Sequence, residues 1–314
     1  MTAEPGPELF CVTGMHRSGT SFLAQALTRL GVSLGDEAAM MPPGPDNPAG
    51  YWEIERIKVF DDELLAHLGG AWDFPPLLAP GWEHDRGLDP FRDRLRTILA
   101  ETFPADPDRA GTTGVRLAVK DPRISLLMPF WRTVVRITPG IVMVRSPQEV
   151  ARSLGVRRYS VAPVQAMILW LRYLYAATAN DPDHLLLRHQ DLFEDLDGTV
   201  DRVVAHLGLA APDPATRDAV HAALVPDLRH HQAGPQTSAT DDAVVPNPLA
   251  DLAARVWNDG CPDLDAMPRE VIDGLALGWL RGPLDDDALT RARADVIRLK
   301  ERVKALNAAA TPTS

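Results

Sequence analysis

Leu9-Phe10-Cys11-Val12-Thr13-Gly14-Met15-His16-Arg17-Ser18-Gly19-Thr20-Ser21 is an apolar run that breaks into a polar loop bracketed by glycines and continues into a helix-forming segment. The order is strand, anion-binding loop, helix. Glycines at 14 and 19 let the backbone turn tightly so that successive N–H groups face inward, and the following helix adds the positive end of its dipole. A phosphate or sulfate belongs in such a loop. The nucleotide-triphosphatase form reads G-x-x-x-x-G-K-[ST], with the lysine on the β/γ-phosphates and the hydroxyl on magnesium. This chain keeps the frame without the lysine: Thr20 stands in its place, and Arg17 supplies the cation from inside the loop. A planar guanidinium suits an oxyanion and needs no bridging metal, so the loop reads as one built for a phosphosulfate.

Two further strand-to-helix junctions carry cations. In Gly140-Ile-Val-Met-Val-Arg145-Ser146-Pro147-Gln148-Glu149, Ser146 and Glu149 have the spacing of a capping box and Pro147 suits the first helical position. Ile141 to Val144 reads as a strand buried on both faces, so Arg145 falls at its carboxyl end, the edge where open parallel sheets bind ligands. Ser153 follows two turns into the helix. In Val115-Arg-Leu-Ala-Val119-Lys120-Asp121-Pro122-Arg123, Asp121 is expected to cap the helix that Pro122 begins, and Lys120 reaches the same rim. The bland alternative for Lys120 and Arg123 is a solvated end of strand or helix, which for Arg123 is the favoured reading.

On these residues the chain resembles the sulfotransferases that use 3'-phosphoadenosine 5'-phosphosulfate (PAPS) and release 3'-phosphoadenosine 5'-phosphate (PAP). The loop Gly14-Met15-His16-Arg17-Ser18-Gly19-Thr20-Ser21 resembles the family's 5'-phosphosulfate loop, and Arg145 with Ser153, eight residues on, its 3'-phosphate contacts. Lys120-Asp121-Pro122 is similar to the bacterial and protein-tyrosine sulfotransferase-like branch, in which the lysine contacts the transferring sulfuryl group. The likeness covers roughly residues 8 to 210 and implies a P-loop-type three-layer α/β/α fold with a central parallel sheet. It implies transfer of a sulfuryl group to a hydroxyl of a small molecule or glycan.

The chemistry explains the residue types. Charge accumulates on the bridging and equatorial oxygens during in-line sulfuryl transfer, and pre-placed donors there are commonly worth about two to three powers of ten in rate each. Arg17, Lys120 and the loop amides are the candidates. The acceptor hydroxyl needs a base, worth roughly 10² to 10⁴. In the resembling branch a glutamate after the loop's helix takes that part, and Glu53 is its nearest counterpart, with Glu37, Glu55 and His16 as competitors. Glu53 closes a proline- and glycine-rich segment, residues 35 to 53, that reads as an ordered lid or substrate wall. Tyr51 and Trp52 within it suit loop packing and acceptor stacking equally. Trp72 to Leu78 and Gly81-Trp82 could line an acceptor pocket or pack on the sheet.

Composition narrows the classes. The 314 residues are 45% hydrophobic, ordinary for a globular chain able to bury a sizeable core. A formal charge of −11 argues against nucleic acid as partner and makes the cation cluster a local exception. Two cysteines, Cys11 and Cys261, suggest no disulfide framework. The first residues lack the apolar core of a signal peptide. The longest uncharged run, Tyr159 to Leu171, is too short to span a bilayer, which takes about 20 residues, so no membrane span and a cytoplasmic location are expected. The adjacent His230 and His231 have no third ligand at helical spacing, and no metal is implied. Arg229-His230-His231 reads as a solvated turn, with closure over a 3'-phosphate as the alternative.

Helices are expected at 18–31, 54–68, 90–102, 122–135, 147–157, 162–179 and 198–208, and strands at 9–13, 115–120, 140–145 and 184–188. Their alternation predicts a parallel, doubly wound sheet. The expected domain covers residues 1–245, with a C-terminal helical extension over 246–314. In that extension Leu289, Ala292, Val296, Leu299, Val303 and Leu306 form a short a/d stripe, suited equally to a homodimer and to docking back on the domain. Two competing functions remain: a P-loop kinase acting on a small molecule, which should carry a lysine after Gly19 and a magnesium-binding acid, and a non-catalytic nucleotide-binding protein.

Overall fold

The structure is a computed structural model that describes residues 8–44, 47–104, 116–155, 161, 163–224 and 256–257. The chain divides into two compact units, Met1–Ala266 and Met267–Ser314, and every described residue belongs to the first. The expected turn at 229–231 and the stripe at 289–306 lie outside the described residues.

Four parallel strands form the sheet: β1 (Glu8–Gly14), β2 (Leu117–Lys120), β3 (Arg136–Val144) and β4 (Leu185–Arg188), in the order β2-β1-β3-β4. Alternation along β1 sorts its residues between the two faces. Leu9 and Cys11 join a core with α2 (Glu55–His67), α3 (Asp89–Thr102) and α4 (Ile124–Arg132) through Phe60, Leu64, Leu99 and Trp131. Phe10 and Val12 face the other way, against α1 (Thr20–Arg29), and that second core also takes in Val203 and Leu207 of the helix Leu196–Leu207. Sheet residues are thus buried on both faces, which is why the strands read as continuous apolar runs. The result is the expected α/β arrangement with helices on both sides of a parallel sheet. Cys11 is a buried core residue whose thiol burial holds in its neutral form. Among the described residues no helix is long and apolar enough to cross a membrane.

Two boundaries differ from expectation for identifiable reasons. β3 begins at Arg136, four residues before the expected start, because Pro139 sits in a bulge: Phe10 pairs with Thr138 and Val12 with Ile141, so β3 carries one extra residue. Proline cannot donate to the ladder, and the neighbouring Gly140 N–H turns to the Asp181 carboxylate at 2.8 Å. The helix expected from residue 122 begins at Ile124, and Asp121 Oδ1 accepts the Arg123 N–H at 2.8 Å just before it. Pro129 lies inside this helix and removes one of its hydrogen bonds. The carbonyl left over, Ser125 O, accepts from Asn180 Nδ2 at 3.0 Å, on α6 (Pro163–Asn180).

Candidate active site

The loop between β1 and α1 has the backbone its glycines permit. Gly14 has φ 122°, and a Cβ there would lie 2.2 Å from the Met143 carbonyl oxygen on β3. Its N–H donates to Ser125 Oγ at 3.1 Å. Arg17 is left-handed, φ 72°, an uncommon state for a non-glycine residue and one that marks a constrained site. Gly19, at φ 91°, is the N-cap of α1. That helix has no side-chain cap and no acidic residue in its first turn, so its positive end is left to an external acceptor. Ser18 is fully buried, and its Oγ has no hydrogen-bond partner among the described residues.

One cation group forms around the loop and the carboxyl end of β3. Arg17 Nε donates to Ser153 Oγ at 2.9 Å, and Arg145 Nη1 donates to the Arg17 carbonyl at 3.2 Å. Arg145 Nε pairs with Glu149 at 2.6 Å on α5 (Pro147–Gly155), one turn along. Ser146 Oγ meets the Gln148 side chain at 2.8 Å. The Arg145 carbonyl accepts from Trp170 Nε1 at 2.9 Å, which anchors the strand end against α6. Arg145 is only 6% exposed, and its Nη2 has no partner among the described residues. A buried guanidinium nitrogen without an acceptor is costly, and an anion bound there would relieve that cost.

A second group forms at the end of β2, whose Lys120 is in register with Val12 of β1. Lys120 Nζ donates to Glu53 Oε1 at 2.5 Å, to the Tyr51 carbonyl at 2.9 Å and to Ser21 Oγ at 3.4 Å. The segment before α2 is pinned to the same place: Ser21 Oγ donates to the Tyr51 carbonyl and Asn47 Nδ2 donates to Ser21 Oγ, each at 3.1 Å. Trp52 takes a left-handed turn, φ 58°, immediately before Glu53. Of the competing carboxylates, Glu37 and Glu55 are exposed, whereas Glu53 is buried beside the lysine. His16 packs against the rings of Trp72 and Tyr173, at 4.7 Å and 5.5 Å between centroids. Thr20, standing where a triphosphatase lysine would be, is buried.

Arg123 is the residue that the sequence reading undervalued. It is 5% exposed, not a solvated helix end, and its guanidinium meets Asp62 at 2.6 Å, Asp121 at 2.9 Å and Glu53 at 3.4 Å. Burial opposes its charge, but the Asp121, Asp62 and Glu53 carboxylates outweigh that and hold it protonated. Burial also pushes the Asp121 carboxyl above its ordinary range, against the pull of Arg123. Behind it Asp61, wholly buried with Oδ1 accepting from Trp131 Nε1 at 2.9 Å, is pushed well above the ordinary range by burial and by Asp121. Asp62 is the converse. Burial would raise its pKa, but Arg123 and Lys58 together bring it below the usual carboxylate range. Asn47, Asp62 and Glu149 also belong to these groups. The last was legible as an i,i+4 partner of Arg145, whereas Asn47 and Asp62 reach their partners only through the folded chain.

The fold and loop together define a parallel α/β protein with a glycine-bracketed strand-to-helix loop flanked by two buried cation groups. Solved structures similar to this chain include a sulfotransferase domain of the Synechococcus olefin synthase, 16% identical with a TM-score of 0.47, over 82% of this chain and 97% of that one. A sulfotransferase of Mycobacterium tuberculosis is similar at 16% identity and TM-score 0.39, over 70% of this chain and 71% of that one. Retinol dehydratase in complex with androsterone and the inactive cofactor PAP is similar at 16% identity and TM-score 0.36, over 84% of this chain and 83% of that one. No family model matches the sequence, and no curated protein matches it.

Proposed function

We propose that this protein is a sulfotransferase that moves a sulfuryl group from PAPS to a hydroxyl of a small molecule or glycan. The observation that carries the reading is the convergence of buried, positively polarised groups on the loop. Arg145 Nη2 and Ser18 Oγ are buried donors with no partner among the described residues, and the end of α1 beside them is uncapped. These are the features a multiply charged anion satisfies. Arg145 and Ser153 are suited to the 3'-phosphate, and the loop from Gly14 to Ser21, His16, Arg17, Ser18, Gly19 and Thr20 among it, to the 5'-phosphosulfate. When bound, the donor supplies an activated sulfuryl group on a phosphate leaving group.

The remaining work falls to the protein's own side chains. Lys120, held at 2.9 Å by the Tyr51 carbonyl and at 2.5 Å by Glu53, sets its side-chain nitrogen at the rim, where negative charge grows on the transferring oxygens. Arg17, fixed through Ser153 and its left-handed backbone, does the same from the loop side. Glu53 is the base of this reading. Its Oε1 is engaged by Lys120, and its Oε2, 3.4 Å from Arg123, is the oxygen with the less committed lone pair to take the acceptor's proton. The stretch from Asn47 to Tyr51, tied to α1 through Asn47 and Ser21, limits water at that point. A cytoplasmic location, where the activated donor is made, goes with the reading.

The test is thermal denaturation with PAP, compared with ATP plus magnesium. Stabilisation by PAP alone is expected. At a concentration one hundred times the dissociation constant, it should reach about 2.7 kcal/mol. Stabilisation by ATP and magnesium alone would instead favour the kinase reading, and none by either would remove both. Transfer of labelled sulfate from PAPS to a panel of phenols, sterols and sugars then identifies the acceptor.

A further inference from the structure

We infer that Arg123 is a positioning residue for Glu53: a guanidinium locked by Asp62 and Asp121 that sets the carboxylate's direction from behind. The inference rests on the reading of Glu53 as the base. Its observations are separate from that reading. The sequence places Arg123 after the Asp121-Pro122 turn, in the helical conformation that precedes α4, with its own N–H held by Asp121 Oδ1 at 2.8 Å. The same oxygen accepts from Nη1 at 2.9 Å, while Nε donates to Asp62 Oδ1 at 2.6 Å on α2. Backbone, Nε and Nη1 are thus all fixed before Glu53 is considered. A planar fork held at two points has no rotational freedom left, so the third contact, Nη1 to Glu53 Oε2 at 3.4 Å, points in one direction.

Glu53 is then held from two sides. Lys120 takes Oε1 from the sheet edge and Arg123 faces Oε2 from the start of α4. The backbone at Glu53 is held by the Met41 N–H, which donates to the Glu53 carbonyl at 2.8 Å, and by the turn at Trp52, φ 58°, so what remains to be set is the direction of the carboxylate at the end of the side chain. Charge supports the same division. Arg123 meets Asp62 at 2.6 Å and Asp121 at 2.9 Å more closely than Glu53 at 3.4 Å, so it is shared among carboxylates and its pull on Glu53 is moderated. An arginine neutralised in this way orients Glu53 without tying up its second oxygen in a close bidentate pair. Lysine could not do this, because a single ammonium cannot present separate donors to α2, to Asp121 and to Glu53 along fixed directions.

The experiment combines a crystal structure and kinetics of Arg123→Gln, Arg123→Lys and Asp62→Asn, with PAP binding by calorimetry counting the competent sites. Sulfuryl exchange from 4-nitrophenyl sulfate to PAP, which forms PAPS and 4-nitrophenol, gives turnover without knowledge of the natural acceptor. In Arg123→Gln the Glu53 carboxylate is expected to leave its place beside Lys120 or to split between conformers. The kcat per PAP-binding site is expected to fall about ten- to hundredfold, the scale of a misplacement near 1 Å, with KM for PAP unchanged. Arg123→Lys, which keeps the charge without the fork, should recover little of that loss, and Asp62→Asn should give a smaller one.

An unmoved Glu53, or unchanged kcat, in Arg123→Gln overturns the inference. So does a loss of rate that vanishes once only PAP-competent molecules are counted, because that is a structural role alone. Should Arg123→Gln fail to fold, Asp62→Asn decides by the same two readouts. Failure of the wild-type protein to bind PAP would overturn the sulfotransferase reading instead, while the position of Glu53 in the variant crystal would still decide this one.

Discussion

Replacing Lys120 by methionine should destabilise the fold as well as stop the chemistry, and the amount follows from its surroundings. The Lys120 side chain is 3% exposed and that of Glu53 8%, at a separation of 2.5 Å. Lys120→Met keeps the aliphatic stem but leaves Glu53 Oε1 and the Tyr51 carbonyl without their donor. Removing one member of a buried pair costs about 3–5 kcal/mol. Arg123 remains 3.4 Å from the other oxygen, which favours the lower end, about 3 kcal/mol. Glu53→Gln should cost only about 1–2 kcal/mol, since an amide oxygen still accepts from Lys120 and the ammonium keeps Tyr51 O. The double variant has no stranded charge and should lose less than the sum, by about 2 kcal/mol. Urea denaturation of the four proteins, followed by tryptophan fluorescence, measures this coupling. Because the pair is buried, it should persist in high salt. A coupling below about 0.5 kcal/mol, the ordinary scatter of independent sites, would refute the view that these charges are held out of water together.

Arg145→Ala should weaken PAP binding about ten- to hundredfold by calorimetry, the worth of a charge-assisted hydrogen bond, whereas Lys120→Met should lower transfer about 10²- to 10³-fold with PAP affinity nearly intact. Equal effects of both variants on both quantities would refute the division between remote phosphate and reacting group. Gly14→Ala should cost about 3 kcal/mol or more, or abolish soluble expression, because its Cβ would stand 2.2 Å from the Met143 carbonyl at φ 122°. A melting temperature within a few degrees of wild type would contradict that geometry.

Asp61 sets a pH dependence. Burial and the Asp121 charge hold its carboxyl well above the ordinary range, so the folded chain keeps a proton that the unfolded chain releases, and stability falls as pH rises above the ordinary carboxylate range. Asp61→Asn can keep the bond to Trp131 without the titration. Its melting temperature should therefore gain on wild type as pH rises from about 5 to about 8, and parallel curves would refute the assignment.

The order of strands and helices was legible because each element carries its own local signal. The run from Leu9 to Thr13 is apolar on both faces because β1 lies between two helical layers, and the Gly14 to Ser21 loop could be placed because only a few backbone shapes turn a strand into a helix so abruptly. Pro139 misled the reading of β3, since a bulge satisfied from Asp181 is a long-range arrangement that adjacent residues do not announce. The positions of Lys120 and Arg145 at one rim followed from the parallel sheet, whose strands all end on the same side.

The partners at that rim were another matter. Arg123 looked like a surface cation because its sequence neighbours are those of a helix start, yet Asp62 and Glu53, 61 and 70 residues away, close around it. Arg17 meets Ser153 across 136 residues in the same way. Sequence by itself determined which elements form and which end of the sheet carries positive charge, because propensity, periodicity and strand polarity are properties of short stretches. Tertiary structure alone decided which charges are buried and paired, because both depend on chain segments far apart in sequence excluding water from the same few ångströms.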